Sequence, residues 1–263
     1  MVFSVVTTGV ALFWNGCTAN KQAAIDDDAQ SALNAKHGYV HALIRPMSEG
    51  SYSAPYRTFS KTRLTSRQVK GINRGEYTAA VVKNGVQAVG FGRGSGDQYG
   101  QVYFVDLVSD SSSMVTVTDI DAVNVKCRKS EMVAEVETRG EGETAIKGLA
   151  YELQGHLGKV NGFISDVDDP KWGQQYFDHH TITLGGGADA QTLSILGVAK
   201  AGSYCTWDLQ ARFTTDDGQD HRVKINDKPL VTEGGPDAGA QHAEVLVQNL
   251  LDWACAHGKG HCG

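Results

Sequence analysis

From Val102 onward the chain alternates apolar and polar residues with a period of two. Val102 to Val108, Met114 to Val117, Val123 to Cys127, Met132 to Val136 and Ile146 to Leu153 each read as strands. Phe163 to Val167, Thr181 to Leu184, Leu193 to Val198, Cys205 to Phe213 and His221 to Ile225 continue the series. Alternate side chains in such runs point to opposite faces, as a half-buried strand requires. Serine, glycine and aspartate clusters separate the runs, and no long helical repeat lies between them. The pattern predicts a mainly β protein folded as an antiparallel β-sandwich. The run at Cys205 shows it most clearly. Cys205, Trp207, Leu209, Ala211 and Phe213 form the inward face, and Thr206, Asp208, Gln210 and Arg212 the outward one.

Around this β-rich stretch, 76–232, the organisation changes. Tyr77 to Phe91 predicts a hairpin turning at Asn84-Gly85, a dipeptide suited to a type I′ turn. Residues 18–75 read as a helical and irregular stalk, with an alanine-rich piece before Gly38 and a strand from Tyr39 to Arg45. Lys61, Arg63, Arg67, Lys70 and Arg74 make a modest basic patch on it. Residues 233–263 predict a C-terminal helix, whose apolar stripe is Val245, Leu246, Leu250 and Trp253, and a cysteine-containing tail.

The start, MVFSVVTTGVALFW, is an apolar run without charge. It is shorter than the roughly 17 to 25 residues of a membrane-spanning helix and lacks a basic beginning. Residues 1–17 are therefore read as the remnant of an export signal or membrane anchor, against a buried strand or helix. The whole chain carries a net charge of -6, which argues against nonspecific recognition of a phosphate backbone, so no specific nucleic-acid binding is expected. Contact of the basic patch with anionic lipid headgroups keeps membrane association open.

Cys127 and Cys205 both fall on predicted inward faces, so a bridge between them is favoured over two reduced core thiols. It would close a loop of nearly a third of the chain, contributing about 4 to 5 kcal/mol by loop entropy. Cys255 and Cys262 form the second candidate pair. With His257 and His261 they could also hold zinc, or remain free thiols.

Several stretches, Cys127-Arg128-Lys129-Ser130, FISDVDDP at 163–170, QYFDHHTITL at 175–184, YCTWDLQARF at 204–213 and VKINDKPLVT at 223–232, together resemble a module of uncharacterised actinobacterial proteins. These are secreted or membrane-anchored, with an external β-rich domain. The resemblance implies an immunoglobulin-like sandwich and a location outside the cell, either secreted or on the outer side of the cell membrane. It carries no established activity.

Candidate chemistry is sparse. Asp166, Asp168 and Asp169 precede His179 and His180, and this polar cluster offers oxygen and nitrogen ligands. Adjacent histidines on a strand would nevertheless point apart, and Asp169-Pro170 is turn chemistry. No nucleophile elbow and no metal-binding helix motif occurs. The glycine-rich GFGRGSGDQYG matches no phosphate-loop pattern, and Glu131, Glu135 and Glu137 read as solvent-facing. No catalytic, cofactor-binding or metal residue is assigned. The expected function is a non-catalytic binding or interaction module outside the cytoplasm, acting on a protein or cell-envelope component. The alternatives are a secreted or cell-surface hydrolase using the acidic and histidine cluster, and a structural subunit of a membrane-associated assembly.

Overall fold

The computed structural model describes residues 39–47, 56–72, 85–90, 98–138, 148–154, 158–166 and 168–245. Fifteen strands run through them: β1 (His41–Pro46), β2 (Tyr56–Ser60), β3 (Val86–Gly90), β4 (Gln98–Val108), β5 (Met114–Lys129), β6 (Ala134–Thr138), β7 (Gly148–Glu152), β8 (Gly158–Asn161), β9 (Phe163–Ile164), β10 (Ile182–Gly185), β11 (Gln191–Lys200), β12 (Ser203–Thr215), β13 (Asp220–Lys224), β14 (Leu230–Glu233) and β15 (Gln241–Val245). One helix, α1 (Ser66–Ile72), lies among them. The first sheet has 9 strands, in the order β15-β6-β2-β3-β4-β11-β7-β9 with β1 also on β4. The second has 6, in the order β10-β5-β12-β13, with β14 on β12 and β8 on β5.

The two sheets pack face to face, and the alternation of the sequence decides which side of each is apolar. Tyr103, Val105 and Leu107 of β4, Ile195 of β11 and Leu149 and Tyr151 of β7 meet Val117 and Ile120 of β5 and Trp207, Leu209 and Phe213 of β12. Trp207 lies at the centre, 1% exposed, with Tyr151 and Tyr103 against its ring at 5.5 and 6.3 Å between centroids. Its indole N–H donates to Thr232 Oγ1 on β14, 3.0 Å away. β14 also reaches the first sheet: the Val231 N–H donates to Tyr103 Oη, and the Glu233 N–H to Gln101 Oε1. The opposite face of the first sheet is closed by the excursion after β9, where Trp172 packs over Val102, Leu196 and Val198.

A mainly β, sandwich-like protein is what the pattern predicts, yet the pairing is not wholly antiparallel. β11 runs parallel to β7, and β15 parallel to β6. The stretch expected as a stalk contributes β1 and β2 to the first sheet and α1 over its end. The hairpin expected at Asn84-Gly85 is described only in its second arm, β3, which pairs with β2 and β4.

The expected C-terminal helix is corrected at its start. Gln241–Val245 is a strand, because its side chains alternate between two partners. Gln241 exchanges hydrogen bonds with the backbone of Leu64, and Ala243 packs with Leu64, Ile72 and Val136 under α1. His242 faces the other way, toward Glu135. Residues 246–263, with Cys255 and Cys262, lie outside the described residues.

A membrane-anchored protein is corrected as well. Among the described residues no helix is long and apolar enough to cross a bilayer, and neither sheet closes on itself. The apolar segment 1–17 lies outside the described residues.

Cys127 and Cys205 are bridged, across a sequence separation of 78. They are direct partners on neighbouring strands, β5 and β12, so the bond lies within one sheet. Cys205 is fully buried, whereas Cys127, expected to face the core, is exposed near the end of β5. The even alternation expected through Val123, Val125 and Cys127 is broken by a β-bulge. Asn124, at φ 53, shares the extra position with Val125, so Val123 falls opposite Asp208 while Val125 is buried.

Candidate functional site

The bulge also produces the first of two buried carboxylates on the outer face of the second sheet. Asparagine tolerates the left-handed conformation that the extra residue requires, and its short amide stays close to the backbone. From there Asn124 Nδ2 donates to Asp208 Oδ2 at 2.9 Å. Asn226, just beyond β13, donates to Asp208 Oδ1 at 2.8 Å, and Lys224 Nζ lies 3.1 Å from the same oxygen. Asn226 is itself held by the Leu209 N–H, which donates to its Oδ1 at 2.6 Å. Asp208 is only 7% exposed, although its place on the strand is an outward one. Burial pushes its pKa up, but the Asn124, Asn226 and Lys224 hydrogen bonds together outweigh burial and hold it below the usual carboxylate range. Both oxygens are occupied, so this is an ionised hub fastening β5, β12 and β13, not a free base.

Asp121 is the second. It pairs with Gln210, two residues along β12 from Asp208, so the two carboxylates are diagonal neighbours on one face. Its Oδ2 lies 2.7 Å from Lys159 Nζ on β8, and Asp119 Oδ2 lies 3.8 Å from the same nitrogen. Among the described residues Asp121 Oδ1 is buried with no hydrogen-bond partner. Burial raises the pKa of Asp121, Lys159 opposes the rise, and Asp119 pushes it further up. Beneath this pair, Tyr151 reaches through from the other sheet to the Ile120 carbonyl. Burial, then the charges of Asp121 and Asp119, lift its phenol well above the usual value.

Neighbouring carboxylates with opposite shifts are the arrangement that separates an acid from a base. Here each is engaged by a lysine and enclosed by its strand neighbours. Arg212 and Asp220, 2.5 Å apart, continue the charge-balanced face beside them.

The cluster expected from sequence does different work. Asp166 Oδ1 accepts the Asp168 N–H, and Asp169 Oδ1 accepts the Lys171 N–H at 2.7 Å, so two of the three aspartates shape consecutive turns. His179 Nε2 lies 2.6 Å from Gln174 Oε1, and His180 stacks on Tyr176 with 4.3 Å between ring centroids. These histidines follow a 3-10 turn over Tyr176–Asp178 instead of sitting inside a strand. Among the described residues no group of three or more histidine, cysteine, aspartate or glutamate side chains is placed to hold a metal ion.

Another charged group joins β2, β6 and β15 of the first sheet, with Tyr99 of β4 against it. Arg57 on β2 reaches Glu135 at 3.0 Å and Glu137 at 3.1 Å on β6, and its guanidinium lies 4.5 Å over the Tyr99 ring. His242 Nδ1 on β15 lies 2.9 Å from Glu135. The alternation of Glu135 and Glu137 places both on one face, but Arg57 and His242 come from distant positions and leave no trace near them in sequence. Lys61, in the basic patch, is paired with Glu131 at 2.7 Å.

No protein-family model matches the chain, and no curated protein matches it.

Proposed function

We propose that this protein is a secreted β-sandwich module that acts outside the cytoplasm by binding a protein or cell-envelope component, without catalysis of its own. The observation that carries the reading is the Cys127–Cys205 bridge. Disulfides form and persist in oxidising compartments, and this one is built into the ladder of a β-rich domain. Two further features support it. Asp166 and Asp169 of the expected cluster accept turn N–H groups, and the enclosed carboxylates Asp121 and Asp208 are each paired with a lysine. In the same reading the chain is kin to the actinobacterial exported proteins that its stretch from about Met114 to Thr232 resembles, and its sandwich is immunoglobulin-like in that broad sense.

The test is fractionation of the complete gene product in an actinobacterial host, with alkylation of free thiols before reduction. The expected result is protein in the medium or the envelope fraction, with Cys127 and Cys205 protected from alkylation. A cytoplasmic product with both thiols free overturns the address. Turnover of a glycan, ester or peptide substrate that is lost in Asp121→Asn, with the fold retained, would replace the binding module by a hydrolase.

A further inference from the structure

The two sulfurs of the Cys127–Cys205 bridge stand in unequal surroundings. Cys205 is 0% exposed, between Cys127 on one side and Thr232 on the other, in the layer that holds Trp207. Cys127 is exposed, two residues before the end of β5. The bridge therefore lies close to one end of a long ladder whose pairs continue from Ser203 opposite Lys129 to Thr215 opposite Val115. Those backbone hydrogen bonds, together with β14 on the far edge of β12, hold Cys205 in place whether or not the sulfurs are joined.

We propose that Cys127 is a thiol-exchange site, at which an external dithiol opens the bridge while the sandwich stays assembled. Exchange proceeds by approach of a thiolate to one sulfur of a disulfide, with the other sulfur leaving. The exposure of residue Cys127, set against the full burial of Cys205, selects the Cys127 side of the bridge for attack at Sγ. The new bond joins the reductant to Cys127, the bond between the cysteines breaks, and its electron pair goes to Cys205 Sγ, which takes a proton. The second thiol of the reductant then attacks its own mixed-disulfide sulfur and releases Cys127, which is protonated in turn. The reductant leaves as a disulfide, and two electrons and two protons have passed to the cysteine pair. The reduced side chain has a place prepared for it. The Leu153 carbonyl oxygen lies 3.7 Å from Cys127 Sγ and can accept the S–H. An exposed bridge is the kind that is labile or regulatory. This inference concerns the bond itself and does not rest on the binding reading above. A protein that binds nothing could still exchange, and a binding module could still carry an inert bridge.

The test uses the oxidised full chain under native conditions with dithiothreitol as the dithiol, followed by timed alkylation and peptide mapping. The expected result is reduction of the bridge with the β-sheet circular dichroism unchanged, and alkylation of Cys127 faster than Cys205 on the order of ten-fold or more. Glutathione disulfide should then form a mixed disulfide at Cys127 in Cys205→Ala, and none at Cys205 in Cys127→Ala. Reduction that occurs only together with loss of the sheet signal overturns the proposal, as does equal alkylation of the two cysteines in the wild-type chain. The wild-type measurement decides the matter even if either variant fails to fold.

Discussion

The phenol of Tyr151 on β7 donates a hydrogen bond to the Ile120 carbonyl on β5, 2.7 Å away, through the middle of the apolar core. The two sheets are thus tied by a directional bond as well as by contact area. Tyr151 is fully buried, so the bond is made where water cannot substitute for it.

Tyr151→Phe keeps the ring and removes only the hydroxyl, leaving the Ile120 carbonyl without this donor. The expected loss is about 1 to 3 kcal/mol, the cost of stranding a buried acceptor. Urea denaturation should show a lower midpoint with an unchanged slope. An unchanged midpoint would mean that the inter-sheet bond contributes nothing.

Gly197 on β11 lies directly under the Trp207 indole. A Cβ there would sit 2.6 Å from Trp207 Cζ2 and 2.5 Å from Thr232 Oγ1. Neither neighbour can give way easily, since Trp207 and Thr232 are buried and hydrogen-bonded to each other. Gly197→Ala should therefore destabilise by about 1 to 3 kcal/mol as an overpacked core does. Thermal melting checks this, and an alanine variant as stable as the parent would refute the close approach.

Stability should respond to pH in two opposed ways. Glu233, 1% exposed, has its pKa raised by burial against hydrogen bonds from Ser130 and the Gly235 N–H. The folded state then holds this proton more tightly than the unfolded state. Its contribution is complete below the ordinary glutamate value and is lost as pH rises through the raised one. Asp121, also raised, acts in the same sense. Asp208 is lowered, so its contribution is present above the ordinary aspartate value and is lost as pH falls through the depressed one. Denaturant midpoints measured from about pH 3 to 8 should show Glu233→Gln relieving the decline toward neutral pH. Asp208→Asn should flatten the acid limb and lower stability at neutral pH. A wild-type profile unaltered by either substitution would exclude both assignments.

The core was legible because it follows parity. Cys205, Trp207, Leu209, Ala211 and Phe213 are buried as their alternation requires, and the partnership of Cys127 with Cys205 is compatible with the same rule. What parity misses begins at Asn124, where one extra residue reverses the faces of β5. Nothing local announces a bulge at an asparagine, and so neither the outward turn of Val123 nor the enclosure of Asp208 could be read. The ligands of Asp208 come from Asn124 and Asn226, about one hundred positions apart in sequence and joined only by the sheet. The end of the chain misled for a related reason. Gln241 to Val245 reads as the beginning of an apolar helical stripe, because a parallel partner such as β6 imposes no pattern of its own on the residues nearby. Of the candidate metal ligands, Asp169 was legible as a turn residue from Asp169-Pro170, whereas the bond of Asp166 to the Asp168 N–H depends on backbone conformation that composition does not carry.

The parallel pairing of β15 with β6 also has a consequence for the order of assembly. His242 meets Glu135 across 107 positions of chain. During synthesis β6 emerges with one flank unfilled, and it must wait until nearly all the remaining strands have been made. Closing so long a span is entropically slow, and an unpaired strand flank invites pairing with other chains in the interval. The vulnerable period of this protein is therefore its biogenesis, when a partner able to shield that flank would matter most.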